Sequence, residues 1–358
     1  MLATTEKMSA GRVPAGRLSA GRRPDFFIVG APKCGTTALA HYLSAHPDIF
    51  MARKEMHFFG ADLRFGPQFY RRDQKAYLAE FDAKEAGACG GEASVWYLFS
   101  QEAATEIKAF NPEARIIIML REPAAMIYSL YHQFLVDGNE HLPTFAEALE
   151  AEDDRRGGRR ISRRTYFPQG LLYRDTARYA RQVARYFEVF GRARVRVIIY
   201  DDFLADTAGT FRQTLDFLGI APAPADIEFG VINGSQTVRS SALQAFMQDP
   251  LVRGTAIALR SRVPRRVFTL MQKLEMRLCG WNLRAQRYPP MNRDLLLALK
   301  REFAPDVTLL SALLRRDLTH WNEPPPAAGN FSSCAFASAA PAAAPTFPLQ
   351  LTHGESSD

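Results

Sequence analysis

The strongest constraint on the fold is a run of six residues, Arg115–Leu120, in which every residue after the arginine is apolar. Successive side chains of a strand point to opposite faces, so such a run is typical of a parallel strand that is covered on both faces. The run Phe26–Val29 has the same character, the run Val195–Tyr200 is apolar except for Arg196, and helical patterns lie between the runs. This alternation predicts parallel βαβ units. We therefore predict an α/β fold, a three-layer α/β/α arrangement with a central parallel sheet.

The helices that accompany these strands follow from apolar residues spaced three and four apart. We predict helices over about residues 36–45, 171–189 and 204–218, and another that begins near Pro123 and buries Ile127, Leu130 and Phe134. Ligands of such sheets bind at the carboxyl ends of the strands. We therefore expect function in the residues that follow Val29, Leu120 and Tyr200.

The two ends of the chain differ in composition from the region between them. Residues 1–23 repeat Ala-Gly-Arg three times, and residues 323–358 are rich in Ala, Pro and Ser. Neither composition can bury a core, so we predict a disordered arm and a disordered tail. Residues 24–322 are then one domain.

Charge and cysteine content narrow the class of protein. Lys and Arg number 45 against 38 Asp and Glu, with a pI near 9.3, which suits an anionic partner such as a nucleotide or an acidic glycan. The four cysteines show no metal-ligand spacing, so no metal is expected. No apolar stretch reaches the length of a membrane span. A cytoplasmic protein without a transmembrane segment is expected.

A glycine-bearing loop, Gly30–Thr37, joins the first strand to the first helix. This context points backbone N–H groups and the positive end of the helix dipole at an anion. The loop nearly matches the nucleoside-triphosphate pattern GxxxxGK[ST], but Thr36 follows the second glycine and the lysine, Lys33, lies inside the loop. No aspartate follows Leu120 to hold Mg²⁺, which disfavours a Mg²⁺-dependent P-loop nucleotide kinase. The loop predicts a phosphate site.

A second anion site is indicated after the strand that ends at Leu120. Arg121 leaves that strand, and Ser129 lies in the following helix, off its apolar stripe. An arginine and a hydroxyl together suit a terminal phosphate. The alternative is an arginine that satisfies a strand end and a serine that faces solvent.

The loop resembles that of the sulfotransferases that use 3′-phosphoadenosine-5′-phosphosulfate (PAPS). Pro32–Thr37 looks like the family's 5′-phosphosulfate loop, and Pro24–Leu39 with His46–Asp48 is similar to the heparan sulfate (glycosaminoglycan) type and its bacterial relatives. The resemblance implies a P-loop-like fold. It also implies PAPS as the sulfuryl donor and adenosine 3′,5′-bisphosphate as the product.

The same resemblance implies roles for individual residues. Lys33 would contact the bridging oxygen of the donor, and the rest of the loop would hold the 5′-phosphate, namely Cys34, Gly35, Thr36 and Thr37. Arg121 and Ser129 would hold the 3′-phosphate. Arg239 falls where the family places a late basic loop over that phosphate, although a surface arginine is an equal alternative.

The candidate base lies in the segment Lys54–Phe59. A carboxylate before two aromatics suggests that the pKa of Glu55 rises toward neutrality against an apolar wall. The resemblance implies that Glu55 is the base, with His57 as the rival, since imidazole is the base in the small-molecule branch. The family's lysine in the segment that corresponds to Gly91–Ser94 is replaced by Ala93, and Glu92 is either an acceptor-site carboxylate or structural.

The sequence therefore predicts a PAPS-dependent sulfotransferase that acts on an acceptor hydroxyl, with a carbohydrate slightly favoured over a lipid or a small hydroxylated molecule. The alternatives are the kinase and a non-enzymatic polyanion-binding protein. Nucleic acid is not expected as a partner, because the aromatic interleaving of a single-strand groove is absent. The arginines of residues 155–164 form either a solvated loop or a basic edge that recruits an anionic acceptor.

Overall fold

The computed structural model describes residues 23–66, 72–222, 227–230, 236–238, 283–285 and 288–324. The chain divides into two compact units. The first holds the residues up to Phe229 and those from Tyr288 to Gly329, and the second holds Gly230–Arg287 with the residues from Asn330 onward. Residues 1–22 and 325–358 lie outside the described residues, so the disordered arm and tail and the single-domain boundaries stay predictions.

A five-stranded parallel sheet forms the centre of the first unit. Its strands in chain order are β1 (Phe26–Gly30), β2 (Ile49–Met51), β3 (Cys89–Ala93), β4 (Arg115–Leu120) and β5 (Val195–Ile199). They lie in the order β2-β3-β1-β4-β5, and every neighbouring pair is parallel. The predicted α/β fold with a central parallel sheet is confirmed.

Helices connect these strands. They are α1 (Thr36–Ser44), α2 (Gln74–Ala79), α3 (Ala103–Phe110), α4 (Pro123–Asp137), α5 (Phe145–Glu150), α6 (Glu152–Arg156), α7 (Tyr173–Ala177), α8 (Tyr179–Phe190), α9 (Tyr200–Ala205), α10 (Thr207–Leu218) and α11 (Arg293–Leu314), with 3-10 turns at Pro168–Leu171, Arg192–Arg194 and Thr319–Asn322. Every residue of β1, and every residue of β4 after its first, is buried. Both faces of the sheet centre are therefore covered, as the apolar runs predict.

Two long helices expected from the sequence are each divided in the structure. The stretch predicted over 171–189 breaks at Arg178, where the Asp306 carboxylate of α11 accepts a hydrogen bond from the N–H of Ala180 at the start of α8. The stretch predicted over 204–218 breaks at Asp206, whose side chain accepts from the N–H of Gly209 and caps α10. In both places a carboxylate replaces the intrahelical partner of an N–H group, which allows a new helix to start.

The second unit contributes one described element, a pair of short antiparallel strands, β6 (Gln236–Val238) and β7 (Leu283–Ala285). In the first unit, the segment after α11 packs on the core. Trp321 is buried, and its indole N–H donates to Asp201 at 3.0 Å.

Candidate active site

The loop between β1 and α1 lies at the carboxyl end of the sheet centre. The Ala31 N–H donates to the carbonyl of Met119 at 2.7 Å, which ties the loop to the end of β4. Gly35, in the left-handed conformation, precedes α1 and offers no side-chain cap to its first N–H groups. Thr36 is buried and Thr37 is half-buried. The loop therefore presents uncapped helix N–H groups toward the strand ends, a geometry that suits an anion.

Gly35 has two reasons to be glycine. Its φ is +87°, and a Cβ there would lie 3.0 Å from the ring of Tyr200 and 3.4 Å from the Met119 methyl group. Tyr200 was predicted as the last residue of a strand, but it begins α9 directly after β5. The Tyr200 ring thus closes one side of the loop, a contact that no sequence pattern indicates.

Arg121 follows β4 and lies over the same ring. Its guanidinium carbon is 5.1 Å from the Tyr200 ring centroid. Among the described residues its guanidinium donates one long hydrogen bond, 3.5 Å, to the carbonyl of Lys33. Most of its donors are therefore available to a ligand, while the cation–π contact holds the group in position.

One face of α4 runs along the loop and carries a residue of interest at every fourth position. It begins at Ala125, whose small side chain leaves room, and continues with three polar residues, Ser129, Gln133 and Asp137, which we call the polar row. Ser129 is half-buried and lies off the buried stripe of the helix, as predicted. Residues four apart share one helix face, so the row leads from the Arg121 side to Lys33. We call the space bordered by the loop Gly30–Thr37, Arg121 and this face of α4 the cleft.

Lys33 is anchored to this row. Its ammonium group donates to the Gln133 side-chain oxygen at 3.0 Å, and the Gln133 amide nitrogen donates to Asp137 at 2.9 Å. Burial lowers the pKa of Lys33, and Asp137 partly offsets this effect. The Asp137 side chain is exposed, but protein atoms around its carboxylate remove part of its hydration and raise its pKa. Because both ends of the Gln133 amide are fixed by charged groups, its orientation is determined.

Glu55 lies beside the same cleft, in the segment after β2. Its N–H donates to the Ala93 carbonyl at 2.8 Å, and its carboxylate accepts from the Val95 N–H at 3.2 Å, so the segment is tied to the end of β3. The adjacent Lys54 ammonium forms an ion pair with the carboxylate. About a fifth of the side chain, 21%, remains exposed, which leaves it accessible to an acceptor.

The expectation that the pKa of Glu55 rises is wrong. Burial acts to raise it, but Lys54, His57 and the Val95 N–H together outweigh burial, and the pKa of Glu55 lies below its usual value. The aromatic wall alone would raise this pKa, but the adjacent Lys54 ammonium favours the ionised carboxylate. Glu55 is therefore ionised over the neutral range and ready to accept a proton.

His57 is packed rather than exposed. Its ring stacks on Phe65 with centroids 4.1 Å apart, and its Nε2 is 3.8 Å from Glu55 Oε2. Burial lowers the pKa of His57, although Glu55 opposes this effect. Its Nδ1 is buried and has no hydrogen-bond partner among the described residues. These contacts fit a neutral ring that forms a wall beside Glu55.

The three predicted catalytic residues share an uncommon backbone conformation. Among the described residues, five that are not glycine have positive φ, and Lys33, Glu55 and His57 are three of them, at 60°, 60° and 51°. Such conformations cost on the order of 1–3 kcal/mol each and persist where the surroundings hold them. Their concentration at this cleft supports its selection as the candidate active site.

Ala93, which stands where the resemblance implies a family lysine, is buried in the structure. Ala93 ends β3 and is almost fully buried, so no side chain from it reaches the cleft. Lys54 supplies an ammonium group beside Glu55 instead. Glu92, the preceding residue, is completely buried and faces away from solvent.

A second segment borders the Glu55 side of the cleft. The Gly66 N–H donates to the Tyr166 carbonyl at 2.7 Å, and the Arg64 N–H donates to Gln169 at 2.6 Å. The Gln169 amide returns a hydrogen bond to the Asp62 carbonyl at 2.9 Å. Residues 62–66 and 166–169 are therefore joined by backbone-directed bonds, and we call them the joined segments.

The arginine-rich stretch is not uniformly a solvated loop. Arg155 is buried and pairs with the buried Glu140 at 2.7 Å, so it is a structural residue. Arg156 bonds to Asp153 and Asp175, and Arg159 to Asp154. The solvated-loop interpretation is thus wrong for Arg155, because α6 turns its side chain inward.

The other two predicted site residues are Cys34 and Arg239. The Cys34 thiol points inward to the carbonyl of Pro32, and burial raises its pKa to about 12, so it stays a neutral thiol. Arg239 lies outside the described residues. Within the described ranges, no three His, Cys, Asp or Glu side chains group as metal ligands, and no helix is long and apolar enough to cross a membrane.

Comparison with known proteins relates this site to a family. The family model described as "Sulfotransferase family" matches residues 24–224. The human heparan sulfate glucosamine 3-O-sulfotransferase 6 is 28% identical over 218 residues, which are 58% of this chain and 56% of that protein. Human carbohydrate sulfotransferase 15 is 28% identical over 256 residues, covering 56% of this chain and 44% of that protein. The chain thus spans about half the length of the curated relatives it matches.

A solved structure extends the similarity to most of the chain. The sulfotransferase from Alicyclobacillus acidocaldarius is 31% identical and superposes with a TM-score of 0.60. The match covers 84% of this chain and 99% of that one.

Proposed function

Because this chain belongs to the sulfotransferase family, we propose that it transfers the sulfuryl group of PAPS to an acceptor hydroxyl, with Glu55 as the base. The observation that carries the proposal is the convergence of Lys33 and Glu55 at one edge of the sheet. Lys33 follows β1, and Glu55 is tied to the end of β3, the strand that pairs with β1 in parallel. A cation for the leaving group and a base for the nucleophile therefore border one cleft.

The donor side fits a nucleotide with two phosphate groups. The uncapped N-terminus of α1 and Lys33 would hold the 5′-phosphosulfate, with Thr36 and Thr37 adding hydroxyl donors. Arg121, whose donors are mostly unused by the described protein, would hold the 3′-phosphate. Ser129 lies on the polar row of α4 that leads away from Lys33 and would add a hydroxyl there.

The reaction is an in-line displacement at sulfur. The acceptor oxygen forms a bond to sulfur, the bond from sulfur to the 5′-phosphate oxygen breaks, and adenosine 3′,5′-bisphosphate leaves. Glu55 takes the proton of the acceptor hydroxyl, while the Lys33 ammonium stabilises the charge that develops on the leaving oxygen. PAPS supplies the activated sulfuryl group, and the acid–base work falls to these two side chains.

We propose a carbohydrate hydroxyl as the acceptor. The support is the names of two relatives, a heparan sulfate glucosamine 3-O-sulfotransferase and a carbohydrate sulfotransferase. Lipid and small hydroxylated acceptors are the competing classes. The cytoplasmic location expected from the sequence, and the expectation that no metal takes part, stay predictions.

The donor site is tested first by thermal stabilisation. Adenosine 3′,5′-bisphosphate at 100 times its dissociation constant should stabilise the protein by about 2.7 kcal/mol, with or without a chelator. Stabilisation only by Mg·ATP would overturn the proposal in favour of the kinase.

Turnover is then tested with ³⁵S-labelled PAPS and a panel of heparan sulfate, a neutral oligosaccharide, a lipid extract and a small phenol. Glu55→Gln should lose at least 100-fold in transfer, the scale of general base catalysis, and keep bisphosphate affinity. Glu80→Gln is the matched control, since the Glu80 carboxylate pairs with the exposed Arg53. Full transfer by Glu55→Gln would reject it as the base, and label only in lipid or phenol would reject the carbohydrate acceptor.

A further inference from the structure

Glu92 is the centre of a buried hydrogen-bond cluster beneath the segment that carries Glu55. Its carboxylate accepts hydrogen bonds from the hydroxyl groups of Tyr97 at 2.6 Å, Ser94 at 2.9 Å and Tyr77. The side chain is completely buried, and none of its described partners is a cation. A buried carboxylate without a counter-charge is costly, so its retention requires a structural or functional reason.

Two of these hydroxyl groups also hold the backbone of the Glu55 segment. Ser94 Oγ accepts from the His57 N–H at 3.3 Å, and the Tyr97 hydroxyl oxygen accepts from the N–H groups of Phe58 at 2.9 Å and Phe59 at 3.3 Å. Three consecutive N–H groups, which begin two residues after the candidate base, thus donate to hydroxyl groups that themselves donate to Glu92.

The chemistry of a carboxylate fixes the direction of every bond in this cluster. An ionised carboxylate only accepts, so each hydroxyl hydrogen must point toward Glu92. The lone pairs of Ser94 and Tyr97 are then turned toward the backbone N–H groups of the segment. Without an acceptor-only group at this position, the hydroxyl hydrogens could turn toward those N–H groups and repel them.

We propose that Glu92 is a positioning residue that holds the backbone of residues 55–59, and with it the Glu55 carboxylate, through the hydroxyl groups of Ser94 and Tyr97. The proposal rests on the proposed function for the role of Glu55, but the hydrogen-bond cluster exists whatever that role is. Glu92, beneath the Glu55 segment, also titrates near neutrality, whereas the pKa of Glu55 lies below its usual value.

The protonation of Glu92 should change the cluster. Burial raises the pKa of Glu92 to about 7, against the opposing effect of its three hydroxyl donors. The titratable groups that face it are neutral tyrosines and one carboxylate, namely Tyr77 from α2, Tyr97, Tyr186 from α8 and Glu55, and Glu55 acts to raise the pKa further. Below pH 7 Glu92 becomes a donor, and one hydroxyl must reverse. We expect the segment to be held less tightly at pH 6 than at pH 8.

The test is amide hydrogen exchange of residues 57–59 in the full chain, corrected for the intrinsic pH dependence of exchange. In the wild type, protection should rise with a midpoint near pH 7. In Glu92→Gln, exchange of these amides at pH 8 should be about tenfold faster, as expected for the loss of about 1.4 kcal/mol, and the midpoint should vanish. A purely structural defect would speed exchange without removing the midpoint.

A double-mutant comparison and a control complete the design. If Glu92 acts through Tyr97, adding Glu92→Gln to Tyr97→Phe should change the exchange of Phe58 and Phe59 little further. Tyr173→Phe removes another buried tyrosine hydroxyl that donates to a buried carboxylate, Glu140, and it should leave these amides unchanged. Unchanged exchange in Glu92→Gln, or an equal effect of Tyr173→Phe, would overturn the proposal.

The outcomes also separate this proposal from the proposed function. Full transfer activity in Glu55→Gln would remove Glu55 as the base and leave the exchange result standing. Exchange in Glu92→Gln that keeps the wild-type rates and the midpoint near pH 7 would remove the positioning role and leave the base assignment standing.

Discussion

The ammonium group of Lys33 donates a hydrogen bond to the Gln133 side-chain oxygen, 3.0 Å away. The lysine proposed to contact the leaving group therefore joins the phosphate loop, Gly30–Thr37, to α4. Because Asp137 fixes the other end of the Gln133 amide, the lysine is held in place before any ligand arrives. Preorganised donors of this kind avoid reorganisation at the moment of reaction.

Replacement of this anchor should weaken donor binding most at high pH. Burial already lowers the pKa of Lys33, and loss of the amide oxygen in Gln133→Leu should lower it further, since that oxygen favours the charged form. The affinity for adenosine 3′,5′-bisphosphate should then fall more steeply between pH 7 and pH 9 than in the wild type, as measured by calorimetry. Gln213→Leu, which removes an exposed amide bonded to Arg196, is the control. Parallel pH curves for the wild type and Gln133→Leu would contradict the prediction.

Arg121→Ala should discriminate between nucleotides. The substitution should weaken the binding of adenosine 3′,5′-bisphosphate by about 1.5–3 kcal/mol, roughly 10- to 100-fold. The affinity for adenosine 5′-phosphate should be nearly unchanged. Calorimetry with both ligands measures the difference. Arg115→Ala, at the opposite end of the same strand, is the control, because its guanidinium bonds the Leu218 carbonyl away from the cleft. Equal losses for the two nucleotides would remove Arg121 from the 3′-phosphate.

Lys54→Met should move the pH dependence of turnover. Lys54 helps to hold the pKa of Glu55 below its usual value, so its removal should raise that pKa. The base is active when ionised, and the acid limb of kcat/KM should therefore shift to higher pH, with activity lost first under acidic conditions. Arg53→Met removes an exposed neighbour that pairs with Glu80 and should leave the limb in place. A limb that stays fixed in Lys54→Met would exclude Glu55 as the group observed.

Two glycines with nearly the same positive φ allow backbone strain to be measured separately from side-chain crowding. Gly87 has φ +91° with open space around it, and Gly35 has φ +87° with Tyr200 at 3.0 Å. Gly87→Ala should cost about 1–2 kcal/mol of unfolding free energy, the price of a left-handed alanine. Gly35→Ala should cost about 1–3 kcal/mol more through overpacking, and it should reduce bisphosphate affinity as well. Urea denaturation measures the free energy of unfolding of both variants. Equal losses would show that the Tyr200 ring moves away from the added methyl group without measurable cost.

Arg155 and Arg159 should differ in their effect on stability although both belong to the arginine-rich stretch. Arg155→Met leaves Glu140 buried without its cation and should cost about 3–5 kcal/mol. Arg159→Met breaks an exposed pair with Asp154 and should cost about 0–1 kcal/mol. Urea denaturation at pH 7 compares the two. Similar values would mean that the Glu140 site relaxes to admit water.

The centre of the sheet could be predicted because β1 and β4 are apolar at nearly every position. β3 could not, since Cys89–Ala93 contains two glycines and has little strand propensity. The reason for Gly91 is tertiary: a Cβ there would lie 2.2 Å from the Phe26 ring and 2.5 Å from the Met51 sulfur. Packing between neighbouring strands thus selects a residue that local preference would exclude.

Candidate site residues can be named from the sequence where they follow a strand end or a recognisable loop, and not where their contacts depend on packing. Lys33, Glu55 and Arg121 follow strand ends or a recognisable loop. Gln133 acts only because its face of α4 meets the phosphate loop, and Tyr200 only because a helix starts directly after β5. Neither relationship leaves a pattern in the sequence.

The joined segments have a consequence for chimeric proteins. Residues 62–66 and 166–169 are about a hundred positions apart in the chain, yet each satisfies the other's backbone groups through Gly66 and Gln169. A recombination crossover between them would take residues 62–66 from one parent and residues 166–169 from the other. The hydrogen bonds that the Gln169 side chain makes to the first segment could then be lost. Exchanges intended to give this scaffold a different acceptor should therefore transplant both segments from the same parent, while the donor loop and the end of β4 are kept.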